Sequence, residues 1–370
     1  MTSSIQEYFS RLEDPRVERN KRHGFMDILM LVICAVTSGA DGWEAIEELG
    51  QARLQWLRRL APFANGVPSH DCIASLISRL SVTGFQACFA NWTEAIAQTR
   101  GGEVIAVDGK TARGSRDRPR GRAALHMVSA WADDNRLVLG QEATAEKSNE
   151  LTAIPKLLEL IELMGCIVTL DAMGCQREIA AQIVNQGGEY VLGLKGNQRA
   201  LYEAVKDFFA VARTGKFAGV DHDFYEEVDK AHGRLETRRY WITEELRTLP
   251  NREQWSGLRS IGLVERRCLT GEIETVEQRF FVNAIAADAP RFAHAVRGHW
   301  GVENRLHWRL DVVFREDASR IRKGHAPAIM TAIRHLCMNL FEREPSSLRL
   351  AQKRRRAAWN DEYRAKVVFG

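Results

Sequence analysis

E-V-I-A-V-D-G-K, residues Glu103–Lys110, decides how the rest of the chain is read. Val104, Ile105, Ala106 and Val107 form an apolar, partly β-branched run that suits a strand buried on both faces. The run predicts a strand ending at Asp108, where Gly109 lets the chain turn. An Asp there can simply cap a turn. It can also carry chemistry, because a carboxylate at the rim of a buried strand is costly unless it meets a metal or another cation.

A second run of the same kind, Cys166–Asp171 (C-I-V-T-L-D), tips the balance toward chemistry. Between the two, His126–Trp131 and Arg136–Thr144 read as strands that complete an antiparallel meander with the first. Asn149 opens a helix, Leu151–Met164, and a helix Arg177–Asn185 and a strand Glu189–Leu194 follow the second Asp. Three strands, helix, strand, helix, strand imply a mixed sheet covered on both faces. In that order the first and fourth strands can lie side by side, bringing Asp108 and Asp171 together. Two adjacent carboxylates raise each other's pKa unless a cation sits between them, and an all-oxygen set favours Mg²⁺ or Mn²⁺.

Residues 1–100 read as helical: a buried helix over Ile28–Val36, then Trp43–Leu60, a short helix capped by Ser69 and running to Leu80, and Phe85–Gln98. The pair around Pro62–Pro68 is weakly similar to a helix-turn-helix, but most all-helical N-terminal regions are simply scaffolds. After a helix Ala200–Arg213, the alternating segments Phe224–Asp229, Leu235–Ile242, Ser260–Leu269 and Thr275–Ala284 read as a small β-rich insertion. There Arg234, Arg238 and Arg239 beside Tyr240 and Trp241 mark either a nucleic-acid contact or a solvated strand face.

A long helix, Pro290–Phe314, follows. At about 100° per residue, Phe292, Val296, Leu310 and Phe314 fall within about 20° of Glu303, which places that acid in the buried stripe. A carboxylate there pairs with an Arg or His of another element, or completes the site of Asp108 and Asp171, and the second reading is preferred. Asp311, about 80° away, is expected at the edge of the stripe, pairing with Arg315. Glu316 and Asp317 are expected to be solvated beyond the helix end.

Composition sets bounds on function. The chain has 370 residues, 45% hydrophobic and 27% charged, which is ordinary for a globular protein with ample core. Seven scattered cysteines with no C-x-x-C pair argue against a disulfide framework or a thiolate zinc site, and fit a reducing cytosol. No signal-peptide pattern opens the chain, and the longest apolar run, Ile28–Val36, is too short to span a bilayer; a cytoplasmic protein with no membrane partner is expected. The net charge of +4 is uneven. Residues 315–370 hold 13 Lys/Arg against 6 Asp/Glu, and Lys110, Arg113, Arg116, Arg118, Arg120 and Arg122 cluster around the single Asp117. Such patches fit a polyanion footprint, or else a solvated loop and a frayed tail.

With these residues laid out, the chain resembles the ribonuclease H-like DDE transposases of bacterial insertion sequences, and more closely the ISAs-type, H-repeat-associated group. The segments carrying the likeness are V-D-G-K-T-A-R-G-S, T-L-D-A-M-G-C-Q, Y-V-L-G-L-K-G-N-Q, H-G-R-L-E-T-R-R-Y and H-W-G-V-E-N-R-L-H-W-R-L-D-V-V-F-R-E-D-A-S-R, spanning roughly 103–320. The resemblance implies an α/β, ribonuclease H-like mixed sheet over 101–340 with a β-rich insertion at about 215–288, a helical associated or DNA-binding domain over 1–100, and a basic tail over 341–370. It implies Asp108, Asp171 and Glu303 as the catalytic, metal-holding triad, with two Mg²⁺ or Mn²⁺ ions. Its implied partner is double-stranded DNA, both element terminal repeats and target, handled by a homodimer in the bacterial cytoplasm at the nucleoid. Where related transposases place an Arg four residues before the Glu and a Lys seven after it, this chain has His299 and Leu310. Phosphate contacts are therefore expected from Arg297, Lys195, Asn197 and Arg320, and from Lys110, Arg113, Arg116, Arg118 and Arg120. The alternatives are an inactive or domesticated DNA-binding relative, and a nuclease without strand transfer.

Overall fold

The computed structural model describes residues 5–97, 101–144, 150–231 and 234–370. Five helices lead: α1 (Ile5–Phe9), α2 (Phe25–Thr37), α3 (Trp43–Leu57), α4 (His70–Ile77) and α5 (Val82–Ile96). Residues 28 to 36 of α2 are buried all round, as their unbroken apolar run requires. Ser69 caps α4 by accepting the N–H of Cys72 (3.3 Å), and Ser81 caps α5 through Gly84 (3.0 Å). The Nδ1 of His70 lies 2.7 Å from Glu47, whose carboxylate also accepts the His70 N–H, so α3 covers the N-terminus of α4. Gln98 and Asn149, expected to end and to open helices, lie outside the described residues.

The sheet begins with β1 (Val104–Ala112), β2 (Leu125–Ala132) and β3 (Leu137–Ala143), followed by α6 (Glu150–Glu159), β4 (Ile167–Leu170), α7 (Arg177–Asn185), β5 (Glu189–Leu194) and α8 (Arg199–Thr214). β1 does not stop at Asp108: its pairing with β2 continues through Gly109↔Val128 to Ala112↔Leu125. Only the parallel pairing with β4 ends there, at Val107↔Leu170. Antiparallel hydrogen bonds on one edge carry the strand four residues past Asp108, to Ala112.

The expected insertion is four long strands, β6 (Asp223–Ala231), β7 (Arg234–Thr243), β8 (Ser260–Thr270) and β9 (Ile273–Asn283). They do not form a small separate unit. β9 pairs with β5, and one nine-stranded mixed sheet results, in the order β3-β2-β1-β4-β5-β9-β8-β7-β6. Side chains alternate across it. Ile105, Val107, Val168 and Leu170 pack with α6, α7 and α8, whereas Val104 and Ile167 face α9 (Ala289–Gly301).

Beyond α9 come a π-helical turn, Val302–His307, then α10 (Trp308–Val312), α11 (Ala326–Arg343), α12 (Leu350–Trp359) and α13 (Asp361–Phe369). The stretch 341–370 is not a free tail. Arg354 donates to Val36 O (3.2 Å) and to Asp41, and lies over the ring of Phe314; Arg364 is fully buried against Trp56. Its charge thus serves packing at α2. Residues 1–100 do not close a core of their own either. Their apolar side chains share one cluster with Ala106, Trp131, the π turn, α10, α11 and α13. Among the described residues no single helix is long and apolar enough to cross a membrane.

Candidate active site

The last parallel pair, Val107↔Leu170, fixes the site. One residue further along each strand stand Asp108 and Asp171, at the C-terminal ends of neighbouring strands and, by alternation, on the face that carries α9 and the π turn. Asp171 Oδ1 accepts the N–H groups of Met173 (3.0 Å) and Gly174 (3.4 Å), which ties the turn after β4 to the carboxylate. Asn197 staples that same turn, its Nδ2 donating to Ala172 O (2.6 Å). This amide was expected at DNA; it is engaged in holding the Asp171 loop.

Asp108 is largely buried, and burial pushes its carboxyl up to about 7, with the charges of Glu150, Asp171 and Glu303 adding to the rise. The nearest imidazole does not offset this. His307 Nδ1 lies 3.6 Å from Asp108 Oδ2, but burial and the nearby Lys110 ammonium push that ring down to about 3, so it is neutral. His299, in the position where an Arg was looked for, sits with Nδ1 3.0 Å from the Thr169 hydroxyl, and burial pushes it down to about 4. The carboxylates thus meet no imidazolium.

Glu303 differs from its expected setting. It is exposed, and the buried stripe is Val302, Leu306, Leu310 and Phe314. The wheel that put Glu303 inside assumed a uniform 100° step, and the π turn breaks that step by closing i→i+5 rings. The N–H of Trp308 accordingly bonds to Glu303 O. Glu303 opens into a cavity of about 420 Å³ that also holds Arg279, Arg297, Arg305 and Trp300. Asp171 opens into a neighbouring cavity of about 270 Å³ with Lys195, Tyr202 and His299, and Arg279 and Trp300 belong to both.

Lys110, expected at DNA, is turned inward and only 11% exposed. Its Nζ lies 2.8 Å from Asp311, 3.2 Å from Glu316 and 3.4 Å from Asp317. Burial alone would weaken the ammonium, but these three carboxylates outweigh it and hold the pKa above its usual value. Asp311 therefore pairs with Lys110 rather than Arg315, which lies 3.6 Å from Asp41. Glu316 is buried rather than solvated, bonded to Thr331 (3.0 Å) and 3.4 Å from Arg334. This cluster pins the helix of Glu303 to the strand of Asp108. Lys110→Met should cost roughly 3–5 kcal/mol, since it leaves buried carboxylates uncompensated. Urea unfolding measures it, and an unchanged midpoint would return Lys110 to the surface.

Arg113, Arg116, Arg118 and Arg120 do stand exposed around the turn after β1, with Arg113 and Arg120 near Asp317 and Asp117. Arg320 is exposed but lines a different cavity, with Asp41 and Trp43. Arg238 and Arg239 pair with Glu227 and Glu226, so the strand face is laced with ion pairs rather than bare. The sequence reading missed one further pair. His126 Nε2 lies 2.7 Å from Glu150 Oε1, and its Nδ1 lies 2.8 Å from the Thr111 hydroxyl. A Cβ on Gly109 would sit 2.3 Å from both partners, so D-G-K needs its glycine for their approach as well as for any turn. An acid in the first turn of a helix gave no signal beyond that of a capping charge.

With the geometry established, comparison with known proteins is decisive. A sequence model of the Transposase DDE domain matches residues 99–340. The chain belongs to the DDE transposase family. A DDE_Tnp_1-associated model matches residues 6–93. The H repeat-associated putative transposase YhhI of Escherichia coli K12 is 40% identical over 99% of this chain and 98% of its own length. A protein of Escherichia coli O157:H7 named putative transposase YncI is 38% identical over 99% of this chain and 94% of its own. The seam between the two family segments, near residue 95, is one of sequence only, because in this transposase the helices before it and the elements after it bury a common apolar cluster.

Proposed function

We propose that this transposase binds the ends of its insertion element and uses Asp108, Asp171 and Glu303 to cut DNA strands there and join them to a target. The observation that supports this most is the register Val107↔Leu170, which sets two acids side by side, with the charge of Glu303 acting on Asp108. The donor set fits a divalent metal. It is all carboxylate, its imidazole neighbour is neutral, Lys110 on the strand of Asp108 is engaged elsewhere, and Asp171 and Glu303 are exposed. Among the described residues no three acid, imidazole or thiol groups lie close enough to clasp an ion as they stand. Glu303 is the member we expect to move, since it rides on the π turn.

When bound at these carboxylates, Mg²⁺ or Mn²⁺ ions would activate the attacking oxygen and stabilise the leaving one. The chain's own residues do the positioning. The Asp171 loop is held by Asn197, the Glu303 helix by Lys110, and Lys195, Arg279 and Arg297 flank the open acids to receive phosphates. Arg113, Arg116, Arg118 and Arg120 would track the backbone beside them. A nuclease without strand transfer would share all of this, so the test is a paired-end assay with Mg²⁺ in which joined product is scored alongside cleaved ends. Joined product is expected, and cleavage without joining would leave only the nuclease reading. In the same assay, neutralising the four loop arginines should weaken end binding and flatten its log–log salt slope by up to about 0.9 for each phosphate no longer neutralised. An unchanged slope would make the loop a solvated one.

A further inference from the structure

Packing explains only half of the basic run Lys353–Arg356 (K-R-R-R) in α12. At about 100° per residue, four successive side chains cannot all face one way. Lys353 and Arg354 turn inward and are 7% and 8% exposed. Lys353 Nζ donates to Phe341 O (2.8 Å) and Glu344 O (2.6 Å), and Arg354 reaches Val36 O. Arg355 and Arg356 are exposed, as are Arg349, Gln352 and Trp359. At that same step all five fall on one arc of about 120°. Trp359, 77% exposed, is the most exposed large apolar side chain among the described residues.

No acid balances this face. From Pro345 to Asn360 the chain has no Asp or Glu. The acids on either side are taken, Glu344 by Lys353 (3.3 Å), Asp361 by Arg53 (3.1 Å) and Glu362 by Arg59 (2.9 Å). Arg356 lies over the ring of Tyr363, 4.6 Å from its centroid. None of Arg349, Arg355 and Arg356 has a carboxylate partner among the described residues. The arginines of β7 and β8 differ, since Arg238, Arg239, Arg266 and Arg267 each meet a Glu. The helix is also fixed to the one that carries Glu303: Arg354 lies over Phe314 and donates to Val313 O. Val313 is ten residues on from Glu303, or about 15 Å along a helix.

Unpaired cations held in one row suit a sugar–phosphate backbone. Arg349 and Trp359 stand about 15 Å apart along α12, the rise of roughly four base pairs. Trp359 gives the same edge an apolar face and one N–H donor. A second copy docked by this face would set arginine against arginine. Resting on the function proposed above, we infer that the outer face of α12 docks on the duplex of the element end, through Arg349, Arg355 and Arg356, away from the phosphate being cut. In that function the end is the DNA held from binding through cleavage to joining, so a surface fixed to the acids serves it before any target.

The test uses the full chain with a short and a long duplex, each copying the terminus of the DNA element that encodes it. Binding is read in EDTA over a salt series. Wild type should hold the long duplex more tightly than the short one. Replacing Arg349, Arg355 and Arg356 together by Gln should abolish that gain and lower the log–log salt slope by up to about 2.7, at about 0.9 for each phosphate no longer neutralised. Because Arg356 also covers Tyr363, a double variant, Arg349→Gln with Arg355→Gln, keeps that contact and should lower the slope by up to about 1.8. Its end cleavage at saturating DNA in Mg²⁺ should match wild type, since no acid is touched. A double variant with the wild-type slope and the wild-type preference for the long duplex overturns the inference. So does one that binds and cuts ends normally but no longer joins them, which would give the face to target DNA. An altered protomer number in light scattering with an unchanged slope would give it to a second copy. A wild type that neither prefers nor cuts ends would sink the functional reading and this inference with it. A wild type that does both, beside a double variant of unchanged slope, would sink this one alone.

Discussion

Asp108→Asn is expected to lose end cleavage while becoming the more heat-stable protein at pH 8 in the absence of metal. The first half follows from the charge. Removing one carboxylate from a preorganised electrostatic site should lower the rate by roughly three orders of magnitude or more. The second half follows from burial. The Asp108 carboxyl is pushed up to about 7 by burial first, and then by Glu150, Asp171 and Glu303. A carboxyl whose folded pKa exceeds its unfolded one, about 3.9, favours folding only while it is protonated. That contribution is fully present below the unfolded value and is lost as pH rises through 7. At pH 8 the metal-free wild type carries the full repulsion, and the isosteric amide carries none of it. The variant's Tm should therefore exceed wild type by on the order of a few degrees at pH 8, with the gap closing toward pH 5. Saturating Mg²⁺ should narrow the pH 8 gap from the other side, by stabilising wild type alone. An amide variant that melts below wild type at pH 8 in EDTA would show that the carboxylates are compensated within the protein, and that no ion is called for.

The same two strands explain why this part of the molecule could be read from sequence. Apolar strands that each end in Asp can be recognised from local pattern, and the order of the elements allows those two strands to lie side by side, although their register, Val107↔Leu170, is set only in the folded sheet. The capping of α4 by Ser69 is equally local. What could not be read depended on partners far away in the chain. Lys110 looks like the first member of a basic cluster until Asp311, Glu316 and Asp317, some 200 residues on, close around it. Asn197 looks like a polar loop residue until it meets Ala172 O. The basic C-terminus looks like a tail because charge is visible in sequence, and the α2 surface awaiting Arg354 and Arg364 is not. The four strands read only as a small β-rich insertion because nothing local announces that β9 will pair with β5. The π turn belongs with these. Its phase shift is a property of packing on both sides of the helix, and a wheel drawn at a fixed angle cannot contain it.

The π turn makes the choice of third acid the most exacting prediction. Glu303 is favoured now for a different reason from the one the helical wheel supplied. It is open, it faces a cavity with Arg279 and Arg297, and its charge acts on Asp108. Asp311 is the nearest rival on the same helix, but it is spent on Lys110 at 2.8 Å. The two substitutions should therefore separate cleanly. Glu303→Gln changes an exposed side chain and opens no core, so its Tm should stay within about 1–2 °C of wild type, as for a surface change. Its metal-dependent cleavage should fall by roughly two to three orders of magnitude. Asp311→Asn should behave oppositely. It weakens the clasp on Lys110 and should lower stability by about 1–3 kcal/mol, the scale of a hydrogen bond to a charged group. Its cleavage rate, measured well below its Tm, should remain within about tenfold of wild type. The assays are thermal unfolding and end cleavage over a Mg²⁺ series, run on both variants. A stable, inactive Asp311→Asn beside an active Glu303→Gln would mean that DNA and metal draw the helix into another phase, with Asp311 released from Lys110 to serve as the third acid.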